Sequence, residues 1–340
     1  MKSASVIIVL YLGIITVFAT QNNSDKNGFY NYHKRIGIPE AHKIKQLESS
    51  VVKTAQRIVG GSEISINLVP YQAGLVITIL LVYTSVCGGS VLSGNRILTA
   101  AHCYTDGETT AESITVVLGS DFLFTGGTRV ESISTILHPG YNPNNGLNDI
   151  AVLHIPTITF TTSIQPIALP SGTDLNDDFA GSLTIASGYG IKSDGQLVSF
   201  HQSLSAVSLQ VITNRNCQTY YGSLIQSSHI CTSGTGGVGT CGGDSGGPLA
   251  LSRHLSRSRI LIGITSFGAE NCEESYPSAF TRVTEFISWI NANMDGSTQT
   301  EYEKNDGDSS NSNGTYKISL LPIMYLLPLF FKYLINVTVI

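Results

Sequence analysis

The residues with the clearest chemical potential lie in a glycine-rich stretch, GTCGGDSGGPL at 239–249. In it, Ser245 follows an acid and is flanked by small residues, with Gly243 two positions before it. A serine hydroxyl is a weak nucleophile, so it needs a base to take its proton and donors to hold the oxyanion that forms when it attacks a carbonyl. Small neighbours let a carbonyl reach the N–H groups of Gly243 and Ser245. The stretch therefore predicts a nucleophilic turn with its oxyanion hole.

A base and an orienting acid occur upstream of this turn. His102 ends an apolar run in ILTAAHC, and Asp149 begins one in NDIAVLHI. Each residue alone is common in a structural role, but with Ser245 they supply a nucleophile, a base and a carboxylate. Asp149 would accept a hydrogen bond from one ring nitrogen of His102, fixing the tautomer whose other nitrogen faces Ser245.

The motifs TAAHC, DIAVL and GDSGGP, in this order, resemble those of the chymotrypsin-like serine proteases over roughly 58–295. The pattern is nearest to insect chymotrypsin-like and collagenolytic-type members. The resemblance implies an all-β fold of two six-stranded antiparallel barrels with a C-terminal helix, and endopeptidase activity through an acyl-enzyme. The alternative is a protease shell without catalysis that serves binding or adhesion at the cell surface.

The stretch QRIVGG at 56–61 resembles a zymogen activation site. Cleavage after Arg57 by a trypsin-like protease would free the α-ammonium of Ile58. In the family this terminus folds inward and pairs with the acid beside the nucleophile, here Asp244. Because a buried carboxylate without a partner is costly, the ion pair would order the oxyanion turn only after cleavage.

The resemblance also assigns a specificity pocket. Its floor corresponds to Gly239, six residues before the nucleophile, and its walls to Gly268 and Ser278. An uncharged, open slot would leave a substrate Lys or Arg unpaired. We therefore expect Tyr, Phe, Leu or Met before the scissile bond.

Two features near the pocket complete this interpretation. Ser266-Phe267-Gly268 would pair with the substrate backbone as an added antiparallel strand. Three acids lie close in sequence, and if one lined the pocket, basic residues would be accepted, so trypsin-like specificity is an alternative. These acids are Glu270, Glu273 and Glu274.

The peptidase region is assigned to 58–295, and its N-terminal flank has two parts. Residues 1–19 have the three-part pattern of a secretory signal peptide. Residues 20–57 are polar, mixed in charge and without periodicity, so we interpret them as a flexible activation propeptide.

The secondary structure of the peptidase region follows from its apolar runs. These runs alternate with turn residues and predict antiparallel strands at 90–92, 95–99, 114–118, 129–136, 150–155, 183–187, 203–211, 260–266 and 279–283. Apolar residues at helical spacing predict a closing helix from Thr284 to Met294.

The C-terminal flank consists of a flexible polar linker at 296–317 and a hydrophobic segment at 318–340. Small residues, a polar spacer and a terminal apolar tail resemble a GPI-anchor signal. A membrane helix or an apolar helix packed on the barrel are alternatives. The predicted location is extracellular, either free or on the outer face of the plasma membrane, and Asn313 is a candidate glycosylation site.

Six cysteines lie in the peptidase region and could form fifteen sets of three disulfides. The family resemblance selects Cys87–Cys103, Cys217–Cys231 and Cys241–Cys272. Without a CxxC pair no metal site is predicted, and the family's chemistry needs no cofactor. The net charge of −5 argues against a nucleic-acid partner. We expect a monomer that meets protein or peptide substrates, an activating protease and protein inhibitors.

Overall fold

The computed structural model describes residues 31–49, 61–190, 203–252, 259–269, 271–272 and 274–294. Outside these residues lie the predicted signal peptide, the Arg57–Ile58 bond, Glu270, Glu273, Asn313 and both C-terminal segments. In the described part of the chain, no helix has the length and apolar character needed to cross a membrane.

Fourteen strands in the described ranges form two antiparallel sheets. In chain order they are β1 (Ser62–Glu63), β2 (Gln72–Ile79), β3 (Tyr83–Ser93), β4 (Arg96–Thr99), β5 (Ser113–Leu118), β6 (Thr128–Glu131), β7 (Ser134–Leu137), β8 (Ala151–His154), β9 (Leu183–Gly188), β10 (Ser205–Ile212), β11 (His229–Thr232), β12 (Pro248–Ser252), β13 (Arg259–Phe267) and β14 (Ser278–Arg282). The first sheet has the order β6-β5-β2-β3-β4-β8-β7. The second has the order β1-β10-β11-β14-β13-β12-β9.

Both sheets curl into barrels, which confirms the predicted all-β, two-barrel fold. In the second sheet β9 pairs with β10, so six strands close a ring to which the short β1 is added. In the first sheet the predicted strand 129–136 is split into β6 and β7. The residues between them, Ser132 and Ile133, donate backbone hydrogen bonds to Ile114 and His154, so one interrupted strand joins the two ends of the sheet.

Each barrel encloses apolar side chains from the inward faces of its strands. Burying one Leu, Ile or Phe side chain contributes about 1.5–3 kcal/mol, so these layers provide most of the stability that keeps the strand ends in place. Fully or almost fully buried examples are Leu75, Ile77, Ile97, Leu98 and Val152 in the first barrel, and Leu209, Ile230, Leu249, Ile262 and Phe280 in the second.

The helices are short and lie outside the barrels. They are a π-helical turn (His33–Gly37), α1 (Ile38–Ser49), α2 (Asn214–Tyr221) and α3 (Ile287–Ala292). Single 3-10 turns occur at Ile66–Leu68, Ala101–Cys103, Gly172–Asn176, Gly222–Leu224 and Val283–Phe286. The predicted closing helix is therefore present as the last 3-10 turn followed by α3.

The interpretation of residues 20–57 as a flexible segment without periodicity is wrong for part of that range. A π-helical turn and α1 cover His33–Ser49. Pro39 lies in the first turn of α1 and has no N–H to donate. Just before it the hydrogen bonds follow the wider π-helical spacing, since the Ile38 N–H donates to the His33 carbonyl. Residues spaced four apart form one face of this helix, but two of them are acids, so the face does not stand out as an apolar stripe. These residues are Tyr32, Ile36, Glu40, Ile44 and Glu48.

The three disulfides implied by the family resemblance are all present. Cys87–Cys103 links β3 to the turn after β4, and Cys217–Cys231 links α2 to β11. Cys241–Cys272 joins the nucleophile loop to the segment after β13. The last of these bonds ties together the two sides of the predicted specificity pocket.

Candidate active site

His102 and Asp149 meet because their strands are paired. The 3-10 turn that contains His102 follows β4, Asp149 shortly precedes β8, and the register of this pair sets Thr99 opposite Ala151. Both side chains are completely buried. The His102 backbone N–H donates to Asp149 Oδ1 at 2.9 Å, and the 2.8 Å contact from Nδ1 to Oδ2 fixes the ring. The structure thus brings the predicted base and acid together.

The Asp149 carboxylate is held in its ionised form by its neighbours. Burial alone would raise its pKa, but the charge of His102 and hydrogen bonds from His102 and Ser266 bring the pKa below its usual value. The Ser266 hydroxyl donates to Oδ2 at 2.6 Å, and Thr281 donates to the Asp149 carbonyl at 2.7 Å. Sequence reasoning assigned Ser266 only to the substrate backbone and did not identify Thr281, because neither contact leaves a local signal.

Ser245 lies in a sharp turn in which the positions on either side, Gly243 and Gly246, have backbone conformations that favour glycine. Gly243 and Gly246 have φ values of +93° and +78°, a region that other residues adopt at a cost. The Ser245 carbonyl accepts a 2.6 Å hydrogen bond from the N–H of Gly88 in β3, which ties the turn to the first barrel. A Cβ on Gly246 would overlap the carbonyl oxygen of Gly88 and the hydroxyl of Thr99. The local glycine pattern therefore serves both the turn and the junction between barrels.

Asp244 directs its carboxylate into the protein beside this turn. The carboxylate accepts from the N–H groups of Gly190 at 2.8 Å and Cys241 at 2.9 Å. It packs so closely against Gly188 and Gly190 that a Cβ on either would overlap it. Burial raises the pKa of Asp244 to about 6, the two backbone donors oppose this, and the nearby Glu40 adds to it. The carboxylate is thus in a position where a cationic partner would stabilise it.

The predicted floor and one wall of the specificity pocket face each other. Gly239 is buried, and a Cβ there would stand 2.8 Å from the Ser278 hydroxyl. That hydroxyl accepts from the Thr240 N–H at 3.1 Å, which fixes its direction. Gly268 is exposed, and a Cβ there would meet no atom within 4 Å. The predicted slot would therefore be open at its mouth and neutral at its base.

The wall of the slot is supported by aromatic packing. Phe267 ends β13 and is 9% exposed. Its ring stands edge-on to those of Tyr221 and His229, with centroids 5.3 Å and 5.8 Å away. These contacts fix the strand end where Ser266, Phe267 and Gly268 were predicted to receive a substrate backbone.

Of the three acids considered for the pocket, Glu274 is the one within the described residues. It is exposed, and its carboxylate accepts from the side-chain amide of Asn271 at 2.6 Å. Glu274 is not among the residues that line the cavity at the mouth of the slot.

That cavity, of about 360 Å³, is roofed by the helical segment 31–49. Tyr32, Arg35, Ile36, Glu40 and Lys43 bound it on one side. The other side is formed by Thr240–Gly242, Ser245, Thr265–Ala269, Asn271 and Cys272. Sequence reasoning did not connect this segment with the site. The signal available in the sequence was the spacing of four residues from Tyr32 to Glu48, which indicates one face of a helix.

Comparison with known proteins agrees with this geometry. The family model described as Trypsin matches residues 58–290. A collagenase from Hypoderma lineatum is 40% identical over 240 residues, covering 70% of this chain and 87% of the relative. Brachyurin from Leptuca pugilator is 40% identical over 238 residues, covering 68% and 96%. A solved structure of HL collagenase covers 70% of this chain and 98% of its own, at 39% identity and a TM-score of 0.63.

Proposed function

Because the chain belongs to the trypsin family of serine endopeptidases, we propose that it hydrolyses peptide bonds at a site formed by Ser245, His102 and Asp149. Ser245 attacks the carbonyl, while His102 accepts its proton and later returns it to the leaving amine. Asp149 orients His102 and stabilises the imidazolium. The observation that carries this proposal is the pair of hydrogen bonds between His102 and Asp149, at 2.8 Å and 2.9 Å.

The N–H groups of Gly243 and Ser245 are proposed to hold the oxyanion of the acyl-transfer intermediate. The left-handed backbone at Gly243 supports this, because it fits the sharp turn that would direct both N–H groups to one point. The hydrogen bond from Gly88 to the Ser245 carbonyl keeps that turn in place.

Activation is proposed to follow cleavage of the Arg57–Ile58 bond by a trypsin-like protease. The new ammonium of Ile58 would pair with Asp244. The raised pKa of Asp244, about 6, supports this role, because a buried carboxylate in this position gains from a cation. The pair then stabilises the turn that carries Gly243 and Ser245.

The specificity is proposed to be chymotrypsin-like, for large apolar or aromatic residues before the scissile bond. A neutral base at Gly239 and Ser278 offers no partner for a substrate cation. The exposed Gly268 leaves room for a wide side chain. The substrate backbone would lie along Ser266–Gly268 as an added strand.

Secretion and anchoring are proposed from the sequence. Residues 1–19 would direct export, and residues 318–340 would be replaced by a GPI anchor attached between 307 and 314. Release of the protein from cells by phosphatidylinositol-specific phospholipase C is the expected result. Retention after treatment would favour a membrane helix instead.

Labelling with a fluorophosphonate tests catalysis. Protein cut after Arg57 should label at Ser245, and the Ser245→Ala protein should not. A folded, cut protein that fails to label would contradict the catalytic proposal and favour a binding or adhesion protein that uses the same fold. Native mass spectrometry and the near-ultraviolet circular dichroism spectrum provide the check on folding.

Profiling the cut protein on a peptide library tests specificity. Cleavage after Phe, Tyr, Leu or Met is expected, and dominant cleavage after Lys or Arg would overturn the pocket assignment. The name of the Hypoderma relative, collagenase, adds native collagen to the substrates worth testing.

A further inference from the structure

The helical segment 31–49 covers the catalytic groups. Tyr32 is 1% exposed, and its hydroxyl donates to the Val86 carbonyl at 2.8 Å. Its ring stands edge-on to that of His102, with 4.5 Å between centroids. Tyr32 and Ser245 line the same cavity, and the Tyr32 hydroxyl lies close enough to the Ser245 side chain for that side chain to influence the pKa of Tyr32. One side chain therefore packs on the base and lies beside the nucleophile.

The residue after Tyr32 anchors the segment beside the site. The backbone N–H of His33 donates to Asp106 Oδ2 at 2.9 Å, and its Nδ1 lies 2.9 Å from the Ser85 hydroxyl. His33 is completely buried. Burial lowers its pKa to about 4, against the opposing effect of Asp106, so the ring is neutral near pH 7 and fits an interior contact.

The helix continues across the oxyanion turn. A Cβ on Gly242 would stand 3.1 Å from Glu40 Cγ and 3.3 Å from Ile36 Cγ2. A Cβ on Gly243 would stand 3.6 Å from the end of the Ile44 side chain. Further along, the Glu48 carboxylate accepts from the backbone N–H of Phe124 at 2.8–2.9 Å. The contacts thus extend over the whole described length of the segment.

One face of the segment makes these contacts and the other meets solvent. The buried residues are Tyr32, His33, Gly37, Glu40, Ala41 and Ile44, while the exposed ones include Lys34, Arg35, His42, Lys43, Lys45 and Gln46. Such a division is the pattern of a helix that packs on a specific surface.

We propose that segment 31–49 is an inhibitor of the active site that it covers. It acts within the uncut chain and, after cleavage at Arg57–Ile58, as a separate peptide bound to the same surface. No cysteine occurs in 20–57, so only non-covalent contacts would retain the released peptide. Inhibition after cleavage therefore depends on protein concentration. It presupposes the protease activity proposed above.

The helical backbone makes the segment an inhibitor and not a substrate. A substrate must lie extended along Ser266–Gly268 to present its carbonyl to Ser245, whereas Tyr32 approaches Ser245 with its side chain and the residues that follow it, His33–Ser49, are helical. The cavity of about 360 Å³ lies between the segment and the mouth of the specificity slot. The segment thus blocks Ser245 without presenting one of its own peptide bonds for cleavage.

The first experiment uses the full-length chain, cut after Arg57 with nothing removed. Activity per mole should rise on dilution from micromolar to nanomolar protein, because the released segment dissociates. In the Gly37→Ala chain, activity per mole should be high at every concentration. A Cβ on Gly37 would overlap the Ser85 hydroxyl, while alanine favours the helix itself. Lys45→Ala, on the exposed face, is the matched control and should behave as wild type.

The second experiment measures binding of fluorescein-labelled peptide 31–49 to the cut protein after gel filtration. Saturable binding is expected, weakened about 10- to 100-fold by Gly37→Ala and about 100-fold by Tyr32→Ala. Lys45→Ala should change the affinity by no more than about twofold.

These readouts separate the inhibitory role from the catalytic proposal. If wild-type and Gly37→Ala chains label equally with fluorophosphonate at every concentration, the inhibitory role is wrong and the protease stands. If no chain labels, the catalytic proposal fails, and peptide binding then decides whether the segment occupies this surface. Absent binding, or equal binding by the wild-type and Gly37→Ala peptides, would rule the inhibitor out.

Discussion

The ring of Tyr32 lies edge-on against the ring of His102, with their centroids 4.5 Å apart. This contact and the pairing proposed for Ile58 with Asp244 act on different parts of one site. The first covers the base and the nucleophile, and the second stabilises the oxyanion turn. Under the two proposals, releasing one control would leave the other in place, so full activity would require both the new terminus at Ile58 and departure of the helix.

Replacing Asp149 with Asn should lower kcat by about 10⁴-fold with little change in KM. An amide can donate to Nδ1, which would leave the proton on the ring nitrogen that has to act as the base. Steady-state kinetics of the cut enzyme would measure both constants. The Asp149→Asn protein should keep the wild-type melting temperature to within a few degrees. A kcat within about tenfold of wild type would argue against this role.

Replacing Ser266 with Ala should lower kcat by about 10- to 100-fold, since a hydrogen bond to a charged group is worth about 1.5–3 kcal/mol. The hydroxyl now donates to Asp149 Oδ2 at 2.6 Å and helps hold the pKa of that carboxyl down. Its loss should raise the Asp149 pKa and weaken the hold of that carboxylate on His102, so kcat should fall while KM changes little. Ser266→Thr, which keeps a hydroxyl, should restore kcat. A raised KM with unchanged kcat in the alanine protein would limit Ser266 to substrate binding.

The sequence predicted the parts of the site whose signals are local. The motifs around His102, Asp149 and Ser245 each combine chemistry and position within a few residues. The contacts of Ser266 and Thr281 with Asp149 arise from strand pairing between distant segments, which no local pattern records. Strand β2 was also missed, because its central position in the first barrel buries both faces and removes the alternation that marks a half-buried strand.

The segment 31–49 was misjudged for a different reason. Its four-residue repeat includes Glu40 and Glu48, which a search for an apolar stripe passes over. In the structure Glu40 is 5% exposed and accepts from Lys43 at 2.8 Å, and Glu48 receives backbone donors from the first barrel. Acids can occupy the packing face of a helix where partners are in reach, from the helix itself for Glu40 and from the opposite surface for Glu48.

Replacing Asp244 with Asn should stabilise the uncut protein at neutral pH by roughly 3 kcal/mol. The folded pKa of about 6 exceeds the ordinary 3.8, so the folded state binds the proton more tightly than the unfolded chain. The cost of the buried carboxylate therefore appears as pH rises from about 4 to about 6 and is constant above. The gain in melting temperature from the substitution should grow over that window and then level off.

The exposed Glu131→Gln is a matched control for this effect, and its melting temperature should follow wild type at every pH. In protein cut after Arg57, Asp244→Asn should lower the melting temperature instead of raising it, because the Asn side chain has no charge to pair with Ile58. Equal stabilisation of cut and uncut protein would contradict the pairing of Ile58 with Asp244.

Converting the base of the slot to an acid should change what the enzyme cleaves. Gly239→Asp alone should give little new activity, because its Cβ would stand 2.8 Å from the Ser278 hydroxyl. Combining it with Ser278→Gly removes that contact and leaves a carboxylate facing the slot, where a substrate Lys or Arg is paired. We expect kcat/KM for Arg substrates to rise at least about 100-fold in the double variant, and that for Phe substrates to fall. Ser278→Gly alone is the control and should keep the apolar preference. The assignment of Gly239 as the floor would fail if the double variant, still labelled by fluorophosphonate, cleaved Phe and Arg substrates in the wild-type ratio.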